Sequence, residues 1–235
     1  MKNKIINLHL ENNSESLKQL IKLIKEKKIV YIQNNLNYAE RIKKQINYEG
    51  PAIILNSSGS KNKPKKCLHK ISNLNQSAKI SGEWLMEQGF VLKECIIFNS
   101  LPVHHISGMM AFWRSKVWDC ELINISPELM KKADYLLEKT ISKKKNKNKY
   151  FITSLVPTQI FKLLSKKKGV QWMQLFDLIW VGGAAINDEI SKKCIEHKIN
   201  LSPCYGMTET SAMISSLKPS EFLKGFKNSG EILKD

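Results

Sequence analysis

Short runs of β-branched and aliphatic residues alternate along this chain with longer stretches whose apolar positions recur at three and four, and no other feature constrains the fold as tightly. A helix between consecutive strands makes each connection a crossover, so the fold class is α/β, a mostly parallel sheet flanked by helices. The expected strands are 29–32, 52–55, 95–98, 122–125, 150–155 and 178–181. The helical period covers about 71–88, 127–139, 158–166 and 188–197, with an earlier face of Leu17, Leu20, Ile21 and Ile24 behind the candidate caps Asn13 and Ser14. Pro127 and Pro157 fall where a first helical turn tolerates a missing N–H. A further unit begins at Tyr38, and residues 227–235 read as a chain entering a new strand. No repeat or compositional break divides the sequence, so one domain is expected.

Charge and cysteine content narrow the function classes. The 38 Lys and Arg against 21 Asp and Glu give +17, a field that attracts polyanions. The excess is lysine, and it arrives with abundant Asn and Ile, as A- and T-rich codons would produce whatever the function. The densest run, at 143–149, has no interleaved aromatic residue and reads as a solvated linker. No apolar run approaches the roughly 18 residues that span a bilayer, and the start lacks the apolar core of a signal peptide, so a cytoplasmic protein is expected. The five cysteines, at 67, 95, 120, 194 and 204, form no C-x-x-C pair and read as buried thiols.

In an open α/β sheet ligands bind beyond the carboxyl ends of the strands, and four segments sit there. After the strand at 52–55 come Ser57, Ser58, Gly59, Ser60 and Lys61, continuing to Lys65 and Lys66. Hydroxyls, backbone N–H groups and ammoniums of such a loop can wrap phosphate oxygens, although a plain surface turn has the same composition. It does not match the G-x-x-x-x-G-K-[ST] loop. After 95–98 come His104 and His105, then Ser107 and Gly108 opening an apolar, aromatic helix. Adjacent histidines diverge, which argues against a shared metal, whereas the helix start can seat a carboxylate or phosphate. Gly182, Gly183, Ala184 and Ala185 follow 178–181 and leave room for a flat ring or for close helix packing. Last come Tyr205, Gly206, Met207, Thr208, Glu209 and Thr210, where a hydroxyl precedes a carboxylate that can hold magnesium.

In this order and spacing the four segments resemble the adenylate-forming, AMP-binding superfamily of acyl-CoA and aryl-CoA ligases. Residues 205–210 match its Y-G-x-T-E motif, and residues 57–65 are similar to its Ser/Thr/Gly-rich phosphate loop, with Lys61-Asn62 in place of Thr-Gly and Lys66 in place of a closing glycine. Residues 101–108, 155–159 and 182–185 are most similar to the o-succinylbenzoate-CoA ligase family. The resemblance covers about residues 50–235. It implies ATP-dependent activation of an aromatic acid through an acyl-adenylate to its CoA thioester, in menaquinone or phylloquinone biosynthesis, with ATP, Mg2+ and coenzyme A as partners. It also implies roles. Ser57, Ser58, Gly59, Ser60, Lys61 and Lys65 would hold the β- and γ-phosphates, Thr208 the α-phosphate and Glu209 the magnesium. Gly183, Ala184 and Ala185, with Tyr205 and Gly206, would border the nucleotide, while His105, Ser107 and Gly108 border the aryl acid. Thr208 and His105 would be the catalytic residues. The chain would then be a partial amino-terminal AMP-binding domain, residues 1–235, without the small carboxy-terminal catalytic domain, and would adenylate poorly alone. The alternatives are another acyl- or aryl-CoA ligase, or a non-catalytic basic module for RNA or membrane surfaces.

Overall fold

The computed structural model describes residues 5–34, 48–57, 64–144 and 149–234, and in it the expected alternation builds two sheets where one was expected. In the first, β1 (Ile5–His9), β2 (Ile29–Gln33), β3 (Ala52–Asn56) and β4 (Lys66–Lys70) lie in chain order. β1 to β3 are parallel and β4 turns back antiparallel to β3. Helix α1 (Ser14–Lys25) makes the crossover from β1 to β2. Asn13 caps it, its side chain accepting from the Ser16 N–H at 2.9 Å. Asn13→Ala should therefore cost about 0.5–2 kcal/mol in denaturant unfolding, with the m-value unchanged.

β4 runs directly into α2 (Ile71–Met86), which carries the chain to the second sheet. That sheet comprises β5 (Cys95–Asn99), β6 (Glu121–Asn124), β7 (Tyr150–Leu155), β8 (Leu178–Val181), β9 (Leu201–Met207), β10 (Ala212–Ser216) and β11 (Glu231–Ile232). Its order is β11-β10-β9-β8-β7-β5-β6. β5 to β9 are parallel, and β10 and β11 are antiparallel additions. Helix α3 (Ile106–Trp118) packs with α2 between the two sheets. Leu74 and Ala78 of α2 meet Val30, Ile32, Ile53 and Leu55 of the first sheet, while Trp84 and Leu85 meet Ile97, Ile152 and Trp180 of the second. A helix walled on both sides has no solvent face to keep polar, which is why α3 is apolar nearly all round.

The outer face of the second sheet is covered by α4 (Ala133–Lys143), α5 (Pro157–Leu164), α6 (Lys167–Met173), α7 (Asp188–Glu196) and α8 (Pro219–Leu223). Trp172, Phe151 and Phe176 fill this core, and the Trp172 indole donates to Thr140 Oγ1 at 2.8 Å. The helix expected from 127 arrives in two pieces, a short 3-10 turn Leu129–Lys131 and then α4. Lys132, at φ −106° and ψ 74°, breaks the helical path so that Leu129 and Met130 tuck against the core. β1, β4, α6, β9, β10 and α8 were not anticipated. The unit expected from Tyr38 and the middle of the lysine run, 145–148, lie outside the described residues.

Candidate functional site

The parallel strands β5, β7, β8 and β9 point the same way, so the segments that follow them share one rim. They enclose a cleft of about 650 Å³. Leu101, Pro102 and His105 come from the end of β5, residues 154–159 from β7, Gly182, Gly183 and Ala184 from β8, and Gly206, Met207 and Thr208 from β9. An adjoining cleft of about 600 Å³ lies between Gly183, Ala184, Ala185, Tyr205 and the α8 end of the chain, with Phe222 and Phe226. The two share Gly183, Ala184, Cys204 and Gly206.

The shared wall depends on glycine. Gly183 sits at φ +84°, a backbone conformation that L side chains rarely adopt, and it lets the chain leave β8 without a side chain between the two spaces. Gly206 permits the β10 backbone to cross β9: a Cβ there would lie 2.1 Å from the Ala212 carbonyl oxygen. Gly108 stands apart. It is buried beneath the β5–α3 corner, where its carbonyl accepts from Asn99 Nδ2 at 3.4 Å, and it does not line the cleft.

Thr208 is buried, Glu209 is exposed, and together they open a one-turn 3-10 helix that ends in two non-glycine residues with positive φ, Ser211 at 58° and Ala212 at 100°. Such strain costs of order 1–3 kcal/mol per residue and persists only when the surroundings enforce it. Here they do. Thr210 Oγ1 accepts from the Met207 N–H at 3.0 Å and donates to the Ala212 carbonyl at 2.7 Å, and Ser77 of α2 donates to the Ser211 carbonyl at 2.8 Å. His69 of β4 meets Ser211 Oγ at 3.0 Å.

The turn therefore lies beside the β3–β4 hairpin, whose connecting loop is the Ser/Gly/Lys segment. The loop closes at its base, with the Ser57 N–H donating to the Lys65 carbonyl at 2.8 Å and the Lys65 N–H to Ser57 Oγ at 3.0 Å. Ser58, Gly59, Ser60 and Lys61 lie outside the described residues. The charge of Glu209 reaches this strand. Burial raises the Cys67 pKa and Glu209 raises it further, while burial lowers the His69 pKa and Glu209 opposes the fall. Among the described residues no three His, Cys, Asp or Glu side chains gather as a metal cage. A single carboxylate suits magnesium, which keeps waters and takes most other ligands from phosphate oxygens.

His105 lines the mouth of the first cleft as the residue preceding α3, and Ser107 stands beside it. Burial holds the His105 pKa below its usual range. His104 turns away from the cleft; burial, then the neighbouring His105 and His9, push it down to about 4. Thr158 and Gln159, which carried no expected role, also border the space, and Gln159 Nε2 donates to Ser100 Oγ at 3.4 Å.

One residue escaped the sequence reading altogether. Arg114 of α3 lines the first cleft at 4% exposure, and among the described residues no carboxylate lies within ion-pairing distance. Its guanidinium stacks 4.7 Å from the Trp180 ring, and its Nε donates to Ser81 Oγ at 3.0 Å. Burial pulls its pKa down to about 10, although the nearby Cys204 thiol favours the charged form. Trp180 Nε1 is buried without a partner among the described residues. An unpaired cation and an unpaired donor thus meet in an apolar cleft.

Two spaces joined through a left-handed glycine, beside a hydroxyl–carboxylate turn that is braced against the strand of a Ser/Lys hairpin, define the site of this α/β domain. The family described as AMP-binding enzyme matches residues 3–230, and this chain belongs to it. It is 25% identical over 222 residues to a 2-succinylbenzoate–CoA ligase of Enterococcus faecalis, covering 94% of this chain and 43% of that one. It is 27% identical over 182 residues to the enzyme of that name from Listeria innocua, covering 77% and 36%. The chain thus spans less than half the length of these relatives. Among solved structures, the O-succinylbenzoate coenzyme A synthetase of Bacillus subtilis in complex with ATP and magnesium superposes at a TM-score of 0.66 with 17% identity, over 99% of this chain and 55% of that one. That likeness shows the fold.

Proposed function

We propose that this chain forms the nucleotide- and acid-binding part of a cytoplasmic ligase that activates o-succinylbenzoate, through an acyl-adenylate, to its CoA thioester in menaquinone or phylloquinone biosynthesis. The observation that carries the reading is the joined pair of spaces, with Thr208 and unpaired Arg114 lining the first cleft and Ala185 and Tyr205 the adjoining one, across the shared Gly183 and Gly206. The adenine lies against Gly183, Ala184, Ala185, Tyr205 and Gly206. The β3–β4 hairpin, with Ser57, Ser58, Gly59, Ser60, Lys61 and Lys65, holds the β- and γ-phosphates. The aryl acid fills the apolar cleft past His105 and Ser107. Its spectator carboxylate pairs with Arg114, which matches a substrate carrying one carboxylate to be activated and another to be recognised.

In the first half-reaction a carboxylate oxygen of the acid attacks the α-phosphorus of ATP, and the bond to the β-phosphate bridging oxygen breaks to release pyrophosphate. Both reactants are anionic, so alignment and charge neutralisation supply the rate. The Thr208 hydroxyl donates to an α-phosphate oxygen as charge builds there, and His105, kept neutral, hydrogen-bonds at the cleft mouth without repelling or trapping the acid. Glu209 would hold a magnesium ion, which when bound would supply charge neutralisation for the polyphosphate. In the second half-reaction the thiol of coenzyme A displaces AMP from the acyl carbon.

Thr208→Ala should weaken magnesium-ATP about tenfold in isothermal titration while leaving the melting temperature within a few degrees, as expected for one charge-assisted hydrogen bond. Glu209→Gln should reduce magnesium-dependent affinity and leave binding in EDTA unchanged. Binding that falls steeply with salt and ignores both substitutions would favour a general polyanion surface and contradict the proposal.

A further inference from the structure

His69 joins two elements that the reading above assigns to different phosphates of one ligand. It lies on β4, in register with Ile53, on the strand that carries the hairpin loop. Its partner Ser211, 142 residues away in sequence, terminates the Thr208–Thr210 turn. Both side chains are buried, His69 at 2% and Ser211 at 7% exposure, so no water competes for the bond. Ser211 is also where the strained backbone begins, and its carbonyl is held from the other side by Ser77 of α2. The first sheet, the interlayer helix and the turn therefore meet at this one residue.

We propose that His69 is a positioning residue that fixes the spacing between the β3–β4 hairpin and the Thr208–Glu209 turn by holding Ser211. β4 is a strand paired along its length with β3, so anchoring His69 anchors the base of the hairpin at Ser57 and Lys65. Thr210 and Ser77 hold the shape of the turn, so what the His69 bond adds is its distance from β4. Core packing alone does not explain the choice of side chain: His69 Nε2 has no partner among the described residues, so an apolar residue would bury more cleanly here. What histidine adds is a directed contact to the turn. The inference rests on the nucleotide reading, because it matters only to a ligand that bridges the two elements.

The test compares magnesium-ATP, which spans hairpin and turn, with AMP, which lacks the phosphates assigned to the hairpin. In isothermal titration His69→Leu should weaken magnesium-ATP by about tenfold and AMP by less than about twofold. His69→Asn, which keeps a polar nitrogen near the Nδ1 position, should recover most of the loss. Ser211→Ala removes the same bond from the other side and should reproduce the selective loss, which also serves if His69→Leu fails to fold. The double variant should be no worse than the weaker single one. An unchanged ratio of the two affinities, or losses that add in the double variant, would overturn the assignment. If the unsubstituted protein binds neither ligand, the nucleotide reading itself fails, and this inference with it.

Discussion

Arg114→Met should abolish recognition of the acid while making the free protein no less stable. Burial depresses the guanidinium pKa to about 10, and because burial disfavours the charged form, the fold carries that penalty throughout the neutral range and sheds it only as the pH rises past about 10. At roughly 1.4 kcal/mol per unit the cost is on the order of 3 kcal/mol. Methionine fills similar volume without it, giving up the Ser81 hydrogen bond and the stacking on Trp180. The melting temperature should hold or rise by a few degrees. Affinity for an o-succinylbenzoyl-adenylate analogue should fall about a hundredfold or more, the usual consequence of deleting one member of a buried charge pair. Affinity for ATP should stay within about threefold. Calorimetry on the variant and the unsubstituted protein checks both halves, and a large drop in melting temperature with unchanged analogue binding would make Arg114 a structural residue.

Gly206→Ala should disable the nucleotide side of the site and loosen the fold together. The added Cβ would meet backbone, 2.1 Å from the Ala212 oxygen and 2.5 Å from Met213 Cα, and no side chain can swing aside to make room. β10 must move away from β9, and the turn between them carries Thr208 and Glu209. The expected cost is about 1–3 kcal/mol of stability, or roughly 2–4 °C per kcal/mol, with magnesium-ATP affinity reduced by more than about tenfold. Gly89→Ala is the control. Gly89 has positive φ but open space around its absent Cβ, and it accepts from Tyr150 at the amino-terminal end of β7, opposite the cleft. It should lose stability and keep its ligand.

Much of this architecture is written in local pattern. The aliphatic runs at 29–32, 52–55, 95–98, 150–155 and 178–181 lie in strands, because a strand buried on both faces needs no polar alternation to identify it. What local pattern cannot carry is the choice of hydrogen-bonding neighbour, and so the division into two sheets stayed hidden. β4, reading Lys-Cys-Leu-His-Lys, has the weak and charged composition of an edge strand, and it is stabilised by pairing with β3 rather than by its own propensity. The rim segments were legible as glycine, hydroxyl and carboxylate clusters. Gly108 was misplaced because a small residue at a helix start serves close packing as readily as a ligand. Arg114 did leave a signal. It is one of two charges, with Lys116, in an otherwise apolar helix, with Met110, Ala111, Val117 and Trp118 at the helical neighbour positions where an acidic partner would sit. His69 left none, because its partner is set by the tertiary fold.

One adenylate should lie across the shared wall, and a crystal structure of this chain with a non-hydrolysable o-succinylbenzoyl-sulfamoyl adenosine tests this. The adenine should lie against Gly183 to Ala185 and Tyr205, the sulfamoyl group within hydrogen-bonding distance of Thr208, and the aryl carboxylate on Arg114. Density confined to one of the two spaces, or bound at any other surface while the joined cleft stays empty, would contradict it.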